Sequence, residues 1–358
     1  MRINLRKEFF TEKEFVLLEH GSLKATAFRF STGVEALKVE NENGFFTILP
    51  FMGQQLWDFS FCGKDLKMKT TIKEPVPNVQ YLMTYGGFLY HCGVKSFGAP
   101  DATHPQHGEI PNAAYNNAYI EAGEDEKGKY IAVGGTLHYD VAFVQKYDFS
   151  PESRLYEKAT IVKVNVKLEN KRSEAMEYMY LCHINFRPFD NARLIYNVPR
   201  DAEHIKIHKI VPEDLDDKTK AKLVSYMDAL EKDRSIMDKV GNDKEIYIPE
   251  ICFAMKYNPD EEGRGHTMQY IEGEGACYVS HPVDALPLPV RWISRTGMED
   301  AMGMILPATA EHLGYEDSKA KGLVKYLAGN STLEFYMEVG FISDSDAKVI
   351  EKKINSLI

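Results

Sequence analysis

The sequence predicts a mainly β fold, a large antiparallel β-sandwich, from two observations. Apolar and polar residues alternate with period two over long runs, most clearly at 162–169 and 333–341, and this alternation is typical of strands with one buried face. Gly, Pro, Asn and Asp separate the runs and few helical segments lie between them, which favours antiparallel pairing over a parallel α/β sheet. Further strand-like runs are 44–50, 55–62, 130–133, 136–144, 178–186, 246–257 and 275–279.

Two segments depart from this alternation. Between residues 213 and 240, apolar residues recur every three or four positions among many charges, which predicts an amphipathic helix inserted between strands. A short closing helix is predicted from Ser345 to Leu357. Ser343 or Asp344 is its expected N-cap, because both side chains can accept hydrogen bonds from the first free amides of a helix.

The composition restricts the class of partner. The chain has 43 Lys and Arg against 53 Asp and Glu, a formal net charge of −10, and it contains no block of basic residues. Phosphate backbones and anionic lipid would repel such a chain. We therefore expect a small-molecule ligand, no nucleic-acid or membrane partner, and a monomer or homodimer.

Targeting and redox signals are absent from the sequence. The first residues contain no continuous apolar segment of the secretory type, and no run elsewhere approaches the ~18 apolar residues of a membrane span. The five cysteines are widely spaced and form no C-x-x-C pair, which argues against a disulfide framework or a zinc ribbon. We therefore expect a cytoplasmic protein.

A loop-rich stretch between residues 86 and 112 concentrates histidine and glycine. His91 is followed by His104 and His107, and Gly108-Glu109 comes directly after His107. In an all-β protein, loops are where polar side chains converge without covering a core face. The stretch is a candidate ligand site; histidines that cap strand ends or face solvent are the alternative.

A second candidate is the strand around His183. Period two places His183, Asn185 and Arg187 on one face of this strand, and Cys182 and Ile184 on the other. A row of hydrogen-bonding groups beside aromatic residues suits a polyhydroxylated ligand. A half-buried histidine on an edge strand is the alternative.

Together these motifs resemble the galactose mutarotase-like (aldose 1-epimerase) superfamily, and more closely its DUF4432 branch. The segments that carry the resemblance are Gly86-Gly87, His91-Cys92-Gly93, His107-Gly108-Glu109-Ile110-Pro111-Asn112, Leu181-Cys182-His183-Ile184-Asn185-Phe186, 197–200, Pro249-Glu250, 286–292 and 303–308. Their order and spacing cover most of the chain.

The resemblance implies one large β-sandwich domain over residues 1–358, lengthened by the helical insertion at 213–240, that binds a sugar in a groove. Mutarotases open and reclose a pyranose ring, which needs a base for the anomeric hydroxyl and an acid for the ring oxygen. By motif match, His107 and His183 correspond to the family histidines that supply the acid and hold the ring. Trp292 is expected near the sugar, where its indole face can pack against ring C–H bonds.

The chain departs from the family at the position of the base. Where relatives carry a glutamate in a G-L-E-P turn, this sequence has Gly303-Met-Ile-Leu306-Pro307, and a leucine cannot accept a proton. Ordinary mutarotation then requires another carboxylate. The candidates are Glu311, Glu299 and Glu109.

A second departure raises the alternative of a metal site. Glu109 replaces the family's arginine, and His91 stands where relatives often have threonine. With His107 and His183, these side chains are expected to approach one groove, and imidazoles with a carboxylate form a ligand set for a divalent first-row metal. The other interpretation is that Glu109 hydrogen-bonds a sugar hydroxyl or a neighbouring histidine.

The leading prediction is a carbohydrate-active isomerase or epimerase that needs no cofactor, with His107 and His183 as the acid/base pair. Its expected substrate contacts are His91, Glu109, Asn112, Asn185, Arg187 and Trp292. Arg187 would suit an acidic group on the sugar, with a surface salt bridge as the alternative. Two other functions stay open: a metal-assisted enzyme acting on a keto-sugar, and a carbohydrate-binding protein without catalysis.

Overall fold

A computed structural model of the chain describes residues 1–241 and 247–358. Antiparallel strands are the main secondary structure of the described residues and are numbered here in chain order. The strands are β1 (Arg2–Asn4), β2 (Phe15–His20), β3 (Leu23–Arg29), β4 (Glu35–Asn41), β5 (Gly44–Ile48), β6 (Leu56–Phe61), β7 (Lys64–Asp65), β8 (Leu89–Val94), β9 (Asn117–Asp125), β10 (Gly128–Val141), β11 (Gln145–Tyr156), β12 (Ile161–Asn170), β13 (Met176–Ile184), β14 (Arg193–Tyr196), β15 (Ile205–Ile207), β16 (Tyr247–Met255), β17 (Arg264–Ile271), β18 (Gly275–Pro282), β19 (Val290–Arg295), β20 (Asp300–Leu306), β21 (Lys325–Leu327) and β22 (Thr332–Ile342).

Two large sheets form the sandwich, which confirms the predicted fold class. The first sheet has the strand order β1-β9-β10-β11-β12-β22-β18-β17-β14. The second has the order β2-β3-β4-β5-β6-β8-β13-β21, with β7 beside β6. Their facing apolar side chains merge into one buried core, for example Val164 of the first sheet with Phe46 and Ile184 of the second. This core is what the period-two pattern encodes, since alternate residues of each strand point into it.

A third, smaller sheet of β15-β16-β19-β20 continues the second sheet sideways. Isolated bridges join the two between Leu181 and Ala308 and between Phe186 and Met302. The C-terminal half of β13 is thereby flanked by β8 on one side and by β20 on the other. Residues of β13, β16, β19 and β20 consequently come close together although they are far apart in sequence.

Helices α1 (Asp217–Lys232) and α3 (Asp344–Asn355) lie where the periodicity predicts helices, whereas the short helix α2 (Tyr315–Ala320) was not predicted. Helix α1 falls within the expected insertion, with Asp216 as N-cap and Leu223, Met227 and Leu230 buried. Helix α3 is capped by Ser343, whose hydroxyl accepts a hydrogen bond from the amide of Asp346 at 3.1 Å.

One strand differs from its prediction. The sequence predicts two runs, 130–133 and 136–144, separated by Gly134-Gly135, whereas β10 runs through both glycines. A Cβ at Gly135 would lie 2.6 Å from the carbonyl oxygen of Asn117, so glycine is needed there for close strand packing. The glycines therefore mark a tight place within a strand and not its end.

Three smaller predictions concern the cysteines, the start of one strand and membrane-spanning helices. All five cysteines are free thiols. Ile246, the first residue of the predicted run 246–257, lies outside the described residues. Among the helices that the structure describes, none combines the length and the apolarity needed to cross a bilayer.

Candidate functional site

A pocket of about 360 Å³ opens where β13 meets the third sheet and the loop between β8 and β9. Seven separate parts of the chain contribute the eight side chains that matter for its chemistry. They are Tyr81, Tyr85, His107, His183, Glu250, Trp292, Leu306 and His312. The structure therefore brings together both predicted catalytic histidines and Trp292.

His183 is fixed by its neighbour Asn185. The Asn185 Nδ2 amide donates to the carbonyl oxygen of Gly87 at 3.0 Å, which orients Oδ1 toward the imidazole. His183 Nδ1 lies 2.7 Å from this Oδ1, and the hydroxyl of Tyr85 donates to the same oxygen at 2.8 Å. Because Oδ1 can only accept, Nδ1 of His183 carries the hydrogen, and Nε2 is left with a free lone pair.

His107 reaches the pocket from a tight loop. Its backbone has a φ of 61° and is held by a hydrogen bond from its amide to the carbonyl oxygen of Gly98 at 3.1 Å. The amide of Gly98 in turn donates to His107 Nδ1 at 3.4 Å. In the neutral imidazole the hydrogen is therefore on Nε2, so His107 offers a donor where His183 offers an acceptor.

The next position, Gly108, requires glycine for the loop to adopt its conformation. Its φ is 84°, and a Cβ there would meet the carbonyl oxygens of Ser96 and Gly93 at 2.2 and 2.3 Å. Only glycine combines this backbone conformation with that close approach. The His-Gly pair of the motif is thus a structural requirement for placing the imidazole.

The two imidazoles lie against each other, with ring centroids 5.2 Å apart and planes nearly perpendicular. Burial lowers the pKa of His183 to about 4, against a smaller opposing effect of the hydrogen bond to Asn185. Burial, together with the nearby His183 and His312, lowers the pKa of His107 well below its ordinary value. Both rings are therefore neutral near pH 7.

Trp292 and Glu250 form the opposite wall. The indole ring centroid of Trp292 lies 5.2 Å from that of His183, and its Nε1 donates to Glu250 Oε2 at 2.5 Å. Glu250 is exposed to solvent at the edge of the pocket. Trp292 thus supplies an apolar face and also orients a carboxylate.

Sequence reasoning missed four residues of the pocket. Glu250, Tyr85 and Tyr81 were not singled out as site residues, and neither was His312, both of whose ring nitrogens lack a hydrogen-bond partner among the described residues. Tyr85 precedes the Gly86-Gly87 pair, and Glu250 is the polar residue of an otherwise apolar strand. These were the signals that could have found them.

The expectation that His91 and Glu109 approach the same groove is wrong. His91 is buried, and its Nδ1 lies 2.7 Å from the hydroxyl of Tyr180. Glu109 Oε1 accepts from the amides of Val94 and Lys95, each at 3.1 Å, and from the hydroxyl of Tyr147 at 2.6 Å. Its carboxylate therefore ties the loop to the sandwich and does not face the histidines.

The four expected metal ligands consequently do not converge. Burial lowers the pKa of His91 to about 3 and raises that of Glu109, and Glu109 lines an adjoining cavity and not the pocket of His107 and His183. Within residues 1–241 and 247–358, no three His, Cys, Asp or Glu side chains are arranged to hold one metal ion. The donor set that suggested a metal centre is not assembled.

Three further expected substrate contacts do not line this pocket. Arg187 Nη2 donates to Asp65 Oδ2 at 2.7 Å, the surface salt bridge that was its alternative interpretation, because β13 ends at Ile184 and the alternation does not continue to Arg187. Asn112 lines an adjoining cavity of about 700 Å³. Asn185 is fully buried and contacts His183, so it acts on the pocket through that imidazole.

The candidates for the missing base are also engaged outside the pocket. Leu306 does line it, as an apolar residue. Glu311 accepts hydrogen bonds from Lys206 and Lys321 at 2.7 and 2.8 Å. Burial raises the pKa of this carboxyl, but the two lysines outweigh burial and lower it. Glu299 is exposed and accepts from the hydroxyl of Thr71 at 3.1 Å.

Comparison with known structures shows the same fold. A protein from Klebsiella pneumoniae described as a candidate aldose 1-epimerase superposes with a TM-score of 0.80 at 15% identity, covering 96% of this chain and 91% of its own. A galactose mutarotase-like protein from Clostridium acetobutylicum gives a TM-score of 0.58 at 15% identity, with 90% and 99% covered. One from Lactobacillus casei gives 0.54 at 12% identity, with 86% and 100% covered. No curated protein matches the sequence significantly.

The family profile of a domain of unknown function, DUF4432, matches residues 31–341. This range includes every pocket residue named above, from Tyr81 to His312. The resemblance inferred from the motifs is thereby confirmed. The chain belongs to the DUF4432 family and has the galactose mutarotase-like β-sandwich fold.

Proposed function

We propose that the protein is a carbohydrate epimerase of the aldose 1-epimerase type, which opens and recloses the pyranose ring of a sugar bound in the pocket. The observation that carries the proposal is the pair of buried, facing imidazoles, His107 and His183, one presenting an N–H donor and the other a free lone pair. A fixed N–H donor beside a group that can exchange a proton suits ring opening, in which the ring oxygen develops negative charge and takes up a proton.

The two histidines have different tasks in this reaction. His183 is the group that exchanges a proton, because Nε2 has a free lone pair and Asn185 Oδ1 accepts from Nδ1–H in both the neutral and the protonated ring. His107 donates a hydrogen bond from Nε2–H to the sugar oxygen on which negative charge develops. Such fixed donors in a partly dry site stabilise the transition state more than water does.

The other walls of the pocket suit a sugar ring. Trp292 offers an indole face to ring C–H bonds, and Tyr81 and Tyr85 add aromatic surface near His183. The volume of about 360 Å³ is at the small end of ligand pockets in general. The proposed ligand is therefore a monosaccharide or the end ring of a longer sugar.

The test is to measure exchange between α and β anomers by NMR for a panel of aldoses, with wild type and with His107→Ala and His183→Ala. We expect each variant to lose about 10²–10⁴-fold in turnover, the range for removal of an acid–base group. The matched control is His138→Ala, which removes an exposed histidine of β10 that pairs with Asp148 of β11. Full turnover by His183→Ala on the sugar that wild type converts would overturn the assignment.

A second candidate is supported by Leu306. Its apolar side chain lines the pocket at the position of the family base, so a protein that binds sugars without converting them is consistent with the site. Calorimetric titration separates the two functions. Binding of sugars by wild type, with no turnover of aldoses, keto-sugars or acidic sugars, would favour the non-catalytic function.

A further inference from the structure

Leu306 leaves the reaction without the carboxylate that the family uses as a base, and the two imidazoles do not replace it. If His183 accepted the anomeric proton, the ring oxygen would depend on the N–H of a neutral His107, which donates hydrogen bonds but is a very weak acid. A third group that takes the anomeric proton leaves protonated His183 free to deliver its own.

We propose that Glu250, on β16, is the catalytic residue that accepts the proton of the anomeric hydroxyl. The inference rests on the proposed function and assigns the base to a different strand from the one that carries Leu306. Among the described residues that line the pocket, Glu250 is the one carboxylate. Glu109, Glu299 and Glu311 are each held elsewhere by the contacts described above.

The surroundings of Glu250 suit this role. Trp292 Nε1 donates to Oε2 at 2.5 Å, so the carboxylate is oriented by the same indole that is proposed to pack on the sugar. Burial chiefly raises the pKa of Tyr85, and the charge of Glu250 adds to this effect. Tyr85 in turn lies 3.3 Å from His183 Nδ1. The carboxylate and the imidazole therefore border the same pocket, and Trp292 contacts both of them.

The proposed ring opening conserves protons and electrons. The anomeric proton forms an O–H bond with Glu250, and the electron pair of the former O–H bond becomes the second bond of the C1 carbonyl. The C1–O5 bond breaks, its electrons go to the ring oxygen, and that oxygen takes a proton from the imidazolium form of His183, which is a minor form near pH 7 because burial lowers the pKa of this ring to about 4. After rotation about the C1–C2 bond, the same proton transfers run in reverse and the ring closes as the other anomer.

The experiment compares Glu250→Gln with Glu299→Gln, the matched control, in which an exposed carboxylate bonded to Thr71 is neutralised. Glutamine keeps an oxygen for Trp292 but cannot take up the proton. We expect Glu250→Gln to lower kcat by about 10²–10³-fold with less than about a threefold change in KM. Glu299→Gln should match wild type. A kcat for Glu250→Gln within threefold of wild type would overturn the assignment.

A binding measurement keeps the test independent of turnover. Wild type should bind an aldose more tightly than its 1,5-anhydro analogue, which lacks the anomeric hydroxyl, and Glu250→Ala should abolish that preference. If wild type converts no sugar, the proposed function fails, and this comparison alone decides where Glu250 points. A preference that persists in Glu250→Ala would show that the carboxylate does not face the anomeric hydroxyl.

Discussion

Asn185 decides which nitrogen of His183 can exchange a proton. Its amide is oriented from behind by the carbonyl oxygen of Gly87, so that Oδ1 accepts from both His183 Nδ1 and Tyr85. A buried amide with fixed partners cannot flip without losing hydrogen bonds. The free lone pair on Nε2 is therefore a property of the Asn185 environment as much as of the histidine.

Asn185→Asp should change the titration of His183 in a defined direction. A carboxylate at this position stabilises the imidazolium, so the pKa of His183 should rise from about 4 toward its ordinary value. The measurement is NMR titration of the His183 ring protons in wild type and variant. The pH range of turnover should move upward with it, because the protonated ring is then more abundant near neutral pH.

Asn185→Leu is the complementary variant, because it removes the acceptor that Asn185→Asp strengthens. It removes the acceptor for Nδ1–H and should lower turnover at least tenfold while the pKa of His183 stays low. An unchanged His183 titration in Asn185→Asp would contradict the positioning role of this residue.

The sequence identifies the parts of the site that form local motifs and misses those that the fold assembles. His107 and His183 stand in recognisable segments. Glu250 and His312 come to the pocket from other strands and loops, and no spacing rule connects residues so far apart. Arg187 fails for a simpler reason: the alternation was extended past Ile184, where β13 ends.

At the scale of elements, period two predicts strands well wherever one face is buried. On β12, Val162, Val164 and Val166 alternate with half-buried polar residues, and the register with β22 keeps the apolar residues together, with Val164 opposite Met337. The pattern cannot predict a strand such as β10, whose glycines serve close packing. Nor can it predict which strands become neighbours, since that depends on the whole core.

Helix α3 provides a test of capping at this scale. Ser343→Ala removes the hydroxyl that accepts from the amide of Asp346 and should lower the free energy of unfolding by about 1 kcal/mol. The measurement is chemical denaturation. Because α3 packs on β14, β17 and β18, and those strands contribute no residue to the pocket, sugar binding should be unchanged. A loss of binding in a folded variant would show a connection that the structure does not suggest.

At the scale of the whole molecule, buried neutral histidines make stability depend on pH. Burial is the largest cause of the low pKa of four of them, about 3 for His91 and His281 and about 4 for His183 and His312. The unfolded chain takes up protons at these positions near pH 6.5, whereas the folded protein does not. Stability should therefore fall as the pH decreases from about 6.5 toward 4.

His281→Leu isolates one of these contributions. His281 is buried and both ring nitrogens lack partners among the described residues, so leucine removes an ionisable group without removing a hydrogen bond. We expect the pH dependence of the unfolding free energy between pH 6 and 4 to weaken by about 1.4 kcal/mol per pH unit. Denaturant titrations at pH 4.5 and pH 8 measure it. An equal effect of the substitution at both values would contradict this explanation.

The central position of β22 determines when the first sheet can form during synthesis. Residues 332–342 pair with β12 on one side and with β18 on the other, so the sheet exists as two separate parts until this late segment leaves the ribosome. A chain interrupted before residue 332 would expose the unpaired edges of β12 and β18, and such edges promote association between chains. Every copy of the protein therefore passes through a stage in which its first sheet is open along the middle.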